Sequence, residues 1–283
     1  MTDQAAKARA FQALHERPGP LVLPTPWDAG SAKLLTGLGF EALCTSGAGF
    51  AFALGRSNGE GQTSRAEVLE NARQIVEATH LPVTADLDHG FGDDPQTCAE
   101  TIRMAAATGV VGGSIEDATG RRDDPIQPFD RAVARIAAAA EAARALPFKF
   151  MLVARAENYL HGRKDREDTI RRLKAFVDAG ADVVYAPGLA DPADIAAIAR
   201  AVAPTPLDFA AGLYGAGLSV AALAALGVKR INPASSLARA AIGALLHAAQ
   251  EVKSTGTFGY ADTAPALSEV NAGFRRPDGA RDR

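Results

Sequence analysis

Two carboxylates one residue apart, Asp86 and Asp88, end an apolar run in TADLDHGFGD (84–93). Two further runs end in SIED (114–117) and VARAEN (153–158), adding Glu116, Arg155 and Glu157. Side chains alternate along a strand, so Asp86 shares a face with Asp88 and Arg155 with Glu157, and Glu116 can join them on neighbouring strands. Four carboxylates at one mouth repel, and desolvating each is costly. One arginine is too little positive charge to offset them. A divalent cation is enough: Mg²⁺ (or Mn²⁺) prefers carboxylate oxygen and water, commonly with one or two direct carboxylates and others acting through water. A lone acidic residue at a strand end, such as Asp93 or Asp117, reads instead as a loop start or helix cap.

Arginine presents a planar fork that matches a carboxylate or phosphonate. Arg155 beside a metal site therefore points to a small anionic substrate held between cation and guanidinium, or to charge balance for Glu157, or to both. The connection TSGAGFAFALGRSNGEG (45–61) is long and glycine-rich. It is neither a Walker A loop nor a dinucleotide fingerprint, because Phe52 stands where GxGxxG needs its last glycine. Backbone N–H groups around Ser46, Gly47 and Ala48 can hold a carboxylate or a developing oxyanion, unless the loop has no ligand role. His89, and Gly212, Gly215 and Gly217 as a phosphate loop, are weaker candidates.

These residues need a frame. Eight strand candidates (21–26, 42–47, 82–88, 110–117, 150–157, 182–188, 206–212 and 230–236) alternate with segments of helical periodicity. In 63–80, Ser64 supplies an N-cap and Glu67 a capping box. Glycines at 39, 109, 180 and 227 end helices just before the next strand, where a left-handed residue makes a tight turn. Eight such units in about 250 residues match a closed, parallel (β/α)8 barrel of the TIM type, whose active site lies at the C-terminal ends of the strands. The Ala-rich stretches near 136–145 and 219–226 read as helices packed on the barrel. Residues 1–255 read as a single barrel domain with a leading helix over 1–18, and 256–283 as a C-terminal extension with no clear strand and a mobile tail.

The 283 residues are 47% hydrophobic and 22% charged, with a net charge of −3, ordinary values for a folded chain. No basic block suits nucleic acid, and no apolar run approaches the roughly 18–20 residues of a membrane span. The N-terminus lacks a signal peptide's apolar stretch, so the expectation is a soluble cytoplasmic protein. Cys44 and Cys98, with five scattered histidines, fit neither a disulfide framework nor a zinc site.

The segments PTPWDAGSAKLL, TSGAGFAFALG, LPVTADLDHGFGD, GGSIEDA and VARAEN, in this order, resemble the isocitrate lyase and phosphoenolpyruvate mutase superfamily over about residues 20–250. The resemblance implies a (β/α)8 barrel, frequently a tetramer built as a dimer of dimers, whose final helix is exchanged between subunits. It also implies Mg²⁺ held by Asp86, with Asp88 and Glu116 acting largely through water. Carried over in the same way, Ser46, Gly47 and Ala48 contact the substrate's carboxylate end and Arg155 its anionic groups. Trp27 and Asp28 fall in the first-strand motif, where Trp27 is a substrate contact and Asp28 a loop anchor.

The departures bear on the reaction. Isocitrate and methylisocitrate lyases share a KKCGH gating segment whose cysteine protonates a departing enolate, whereas here ATGRRDDPIQPF follows SIED. The Lys, Thr and Asn of the mutase and phosphonopyruvate hydrolase branch are also missing from 118–129. Arg121 and Arg122 are the obvious replacements. An outer-shell Asp of the family appears as Asn58. The resemblance thus implies a Mg²⁺-dependent lyase acting on a small 2-oxo or 2-hydroxy carboxylate through an enolate, by C–C cleavage or decarboxylation, with Asp88, Glu116 and Arg155 as its catalytic residues. The alternatives are a C–P bond enzyme and a weakly catalytic 2-oxo acid binder.

Overall fold

Among the described residues of the computed structural model (4–58, 62–212 and 217–275) eight strands pair in parallel around one sheet. They are β1 (Leu21–Val22), β2 (Leu43–Cys44), β3 (Val83–Asp86), β4 (Gly112–Glu116), β5 (Met151–Arg155), β6 (Val183–Tyr185), β7 (Leu207–Ala210) and β8 (Arg230–Asn232). The ladder runs β1-β8-β7-β6-β5-β4-β3-β2, and Cys44 N–H donates to the Pro24 carbonyl at 3.0 Å across the remaining gap. The result is a (β/α)8 barrel. Each predicted strand is present but shorter than its apolar run. In 21–26 the reason is plain: Pro24 and Pro26 have no N–H for a ladder.

The helices in chain order are α1 (Gln4–Glu16), α2 (Ala29–Gly37), α3 (Gly47–Ala53), α4 (Arg65–Ala78), α5 (Pro95–Ala107), α6 (Phe129–Arg144), α7 (Arg166–Asp178), α8 (Pro192–Val202), α9 (Val220–Ala225), α10 (Ser236–Thr255) and α11 (Leu267–Phe274). Ser64 and Glu67 form the expected capping box on α4. Asp94, Asp165 and Asp191 cap α5, α7 and α8. The turn glycines 39, 109, 180 and 227 all have positive φ. The Ala-rich stretches lie in α6 and α9, and α6 buries Ala132, Ile136, Ala139, Ala140 and Ala143.

One core fills the space between strands and helices, and a second fills the barrel interior. Phe11 of α1, fully buried, plugs the interior beside Leu21, Leu23 and Val183, a burial that stabilises by about 1.5–3 kcal/mol. The leading helix is therefore the floor of the barrel. The C-terminal extension carries a helix: α11 lies on α2, with Phe274 against Gly30 and Gly273 against Leu34. Before it, α10 stands off the barrel, burying Ala238 while leaving Leu245 and Leu246 67% and 63% exposed. Gly215 and residues 276–283 lie outside the described residues.

Candidate active site

The strand order brings the three acidic segments together, because β3, β4 and β5 are neighbours with Asp86 opposite Ser114 and Glu116 opposite Arg155. Asp86 ends β3. Its backbone N–H donates to Thr45 Oγ1 at 2.9 Å, and its Oδ1 accepts from Ser114 Oγ at 3.2 Å. Asp88 lies past the strand end with φ 47°. This left-handed turn, which aspartate tolerates better than most residues, sets Asp88 beside Gly47 rather than simple strand alternation. A Cβ on Gly47 would lie 3.1 Å from Asp88 Oδ1 and 3.3 Å from Asp86 Oδ2, so glycine is what fits between them.

Gly47 opens α3, where a glycine-rich loop was expected. Ser46 caps this helix, its Oγ accepting from Gly49 N–H at 3.1 Å, and the apolar run that follows has no breaker until Gly55. Gly47 N–H reaches Asp86 Oδ2 at 3.4 Å. Asp28 caps α2 through Ser31, as its anchoring role requires. Trp27 does not line the cavity described below; its carbonyl accepts from Asn71, and its Cβ packs at Gly49.

Arg155 is the hub. Its Nη1 lies 3.0 Å from Asp86 Oδ1, Nη2 3.0 Å from Glu116 Oε2 and Nε 2.9 Å from Glu157 Oε1. Every nitrogen of the fork is engaged by a carboxylate, which uses three of its five N–H donors and leaves one on each Nη. Burial pushes the Glu116 carboxyl well above its ordinary range, with Arg155 opposing and Glu157, Asp88 and Asp86 adding to the rise. Glu157 is pushed up to about 7, again first by burial. Burial opposes the Arg155 charge, but Glu116, Glu157 and Asp86 outweigh it and keep the guanidinium protonated.

Below this layer a second ring of buried pairs holds the frame. Arg172 Nη1 lies 3.0 Å from Asp117 Oδ2, and Asp117 Oδ1 accepts from Glu157 N–H at 2.8 Å. Asp117 is thus a buried strut rather than a loop start. Arg135 donates to the Glu116 carbonyl at 3.1 Å and to the His89 carbonyl. The His89 ring is half-buried, its pKa lowered by burial and then by Arg135, and it does not line the cavity.

The strand ends surround a cavity of about 600 Å³. Ser46, Gly47, Ala48, Asp86, Asp88 and Glu116 line it from β2–β4, and Arg155, Glu157, Tyr185, Asp208, Arg230 and Asn232 from β5–β8. Asn58 and Arg122 complete its mouth. Tyr185, Asp208, Arg230 and Asn232 were not singled out from sequence. Their register, Arg155–Tyr185–Asp208–Arg230, carries the signal: polar residues at interior positions of three apolar strands. Arg230 Nε is 2.8 Å from Asp208 Oδ2, an ion pair outside hydrogen-bond alignment, and Asn232 Nδ2 donates to Asp208 Oδ1 at 2.9 Å.

Five carboxylates and three guanidinium groups line the cavity. Oxygen donors in excess negative charge suit a hard divalent cation. Among the described residues no three His, Cys, Asp or Glu side chains converge as a ready chelate. The loop after β4 is tethered: Ala118 bridges Ile126, Arg121 Nη1 lies 3.0 Å from Asp93 Oδ2, and Arg172 holds the Gln127 carbonyl at 3.0 Å. Arg122, exposed, has no ion pair among the described residues.

The family model described as phosphoenolpyruvate phosphomutase matches residues 11–253. A Burkholderia cenocepacia J2315 structure described as a lyase/mutase is 55% identical, with a TM-score of 0.94 and 98% of each chain covered. Probable 2-methylisocitrate lyase 1 of Corynebacterium glutamicum is 31% identical over 90% of this chain and 84% of its own. Oxaloacetate acetylhydrolase, solved with its product oxalate, superposes with a TM-score of 0.85 at 26% identity, over 95% of this chain and 93% of that one. With this match over most of its length, the chain belongs to the isocitrate lyase and phosphoenolpyruvate mutase superfamily of lyases and mutases.

Proposed function

We propose that this protein is a Mg²⁺-dependent (or Mn²⁺-dependent) lyase that breaks a C–C bond in a small 2-oxo or 2-hydroxy carboxylate and leaves an enolate. The observation that carries this reading is the excess of carboxylate over guanidinium around one cavity at the strand ends. Asp86 would hold the cation, with Asp88 and Glu116 acting through water. When bound, the ion supplies Lewis-acid stabilisation of charge on substrate oxygen.

The chain's own residues do the rest. Ser46, Gly47 and Ala48 border the substrate's carboxylate end, where oriented N–H groups stabilise a developing anion. Arg155 holds Asp86, Glu116 and Glu157 in register, and its two remaining N–H donors are available to a substrate anion. Arg122, on a tethered loop and with no ion pair among the described residues, supplies positive charge for a distal anion. Exposed Leu245 and Leu246 on α10 support a homo-oligomer formed through this helix, with the helix exchange of the family.

The test is a proton and phosphorus NMR time course with Mg²⁺ and a panel of oxaloacetate, isocitrate, methylisocitrate, other 2-oxo and 2-hydroxy diacids and phosphonopyruvate, each with an EDTA control. EDTA-sensitive loss of one diacid supports the lyase. The match to a phosphomutase model favours a second reading, C–P chemistry, which turnover of phosphonopyruvate would establish instead. Ligand-induced stabilisation without turnover of any compound would make it a 2-oxo acid binder.

A further inference from the structure

Tyr185 closes β6 and lines the cavity, yet only 7% of the residue is exposed. Its register neighbours are Arg155 on β5 and Asp208 on β7, and both are already committed. The Arg155 guanidinium lies over the ring, 5.1 Å from its centroid, with its nitrogens given to three carboxylates. Asp208 is taken by Asn232 and Arg230. The ring packs against the Arg155 guanidinium, and the phenol hydroxyl has no hydrogen-bond partner among the described residues. The hydroxyl opens to the cavity, where an oxygen of a bound ligand can accept its proton.

The phenol also keeps that proton. Burial pushes its pKa up, Arg155 opposes, and Asp208, Glu157 and Asp86 add to the rise. The hydroxyl is a donor at the cavity wall on β6, three strands round the barrel from Asp86 on β3.

We propose that Tyr185 is a specificity-determining residue, its hydroxyl donating a hydrogen bond to an oxygen of the substrate beyond the 2-oxo acid end, so that the site selects four-carbon diacids over two-carbon acids. This rests on the function proposed above, which puts the 2-oxo acid end at Asp86 and Gly47. A site built around a donor discriminates strongly against ligands that leave it unpaired.

The test is calorimetric binding of oxalate and of malate, each with Mg²⁺, to the wild type and to Tyr185→Phe, with melting temperatures to confirm that the variant is folded. Oxalate fills only the Asp86 end. The expected result is a loss of about ten-fold or more in malate affinity, the scale of a hydrogen bond to a charged acceptor, with oxalate affinity unchanged. Equal retention or equal loss for both ligands would overturn the assignment. Wild-type protein that binds neither would overturn the functional reading and this inference with it; malate loss confined to the variant cannot be confused with that result. Fluorine NMR of wild-type protein labelled with 3-fluorotyrosine gives a second readout that needs no folded variant beyond assignment. One of its four tyrosine resonances shifts with malate and stays in place with oxalate, whereas identical spectra with the two ligands would overturn the assignment.

Discussion

Arg155 Nη1 and Asp86 Oδ1 lie 3.0 Å apart, joining β5 to β3 across the intervening strand. The same guanidinium holds Glu116 and Glu157, so one side chain organises the acidic cluster. Truncating it leaves buried carboxylates unpaired. Arg155→Met is expected to destabilise the fold by about 3–5 kcal/mol, read as a lower urea midpoint. A midpoint within error of the wild type would show that the hub is dispensable.

Asp86→Ala removes the carboxylate proposed to hold the cation. Wild-type protein should gain melting temperature with Mg²⁺ and the variant should not. Isothermal calorimetry that finds the same Mg²⁺ affinity in both would remove Asp86 from the site.

Glu157 makes stability depend on pH in a particular direction. Its carboxyl is pushed from an ordinary value of 4.5 up to about 7. Between those values the folded protein keeps a proton that the unfolded chain has released, so this contribution is complete below about pH 4.5 and is lost as pH rises through about 7. His15, held down to about 4 chiefly by burial, runs the other way over its own window. The readout is therefore the difference between wild type and Glu157→Gln without metal: the wild type should lose stability relative to the variant from pH 5 to 8. Parallel melting curves across that range would contradict the assignment.

Arg122 is the cavity's guanidinium without an ion pair among the described residues. Arg122→Gln should raise KM for a dianionic substrate about ten-fold or more, the scale of a charge-assisted hydrogen bond, while leaving the melting temperature unchanged because the residue is exposed. Unchanged kinetics would leave the distal anion to another residue.

Arg172 and Asp117 stand outside the cavity yet set its rim. Arg172→Met leaves Asp117, 1% exposed, without its cation, and Asp117 fixes the Glu157 backbone. The expectation is a loss of about 3–5 kcal/mol in chemical denaturation, largely restored when Asp117→Asn accompanies it. No recovery in the double variant would argue that the strut acts through something other than charge.

Much of this molecule is legible along the chain because the signals are local. The Ser64–Glu67 box, the four turn glycines and the eight apolar runs need only their own neighbours to take shape, and parallel order follows from their alternation with helices. The position of Asp86, Glu116 and Arg155 at strand ends follows from that rhythm. What Arg155 touches does not, because it depends on the register that sets Glu116 opposite Arg155 and Asp86 opposite Ser114. The left-handed turn at Asp88, the capped helix at Gly47 and the burial of Asp117 beside Arg172 likewise arise from contacts between residues far apart in sequence. Tyr185, Asp208 and Arg230 look like scattered polar residues in apolar strands until the closed barrel turns them inward. Burial, charge pairing and the choice of which donor stays free are properties of that closure.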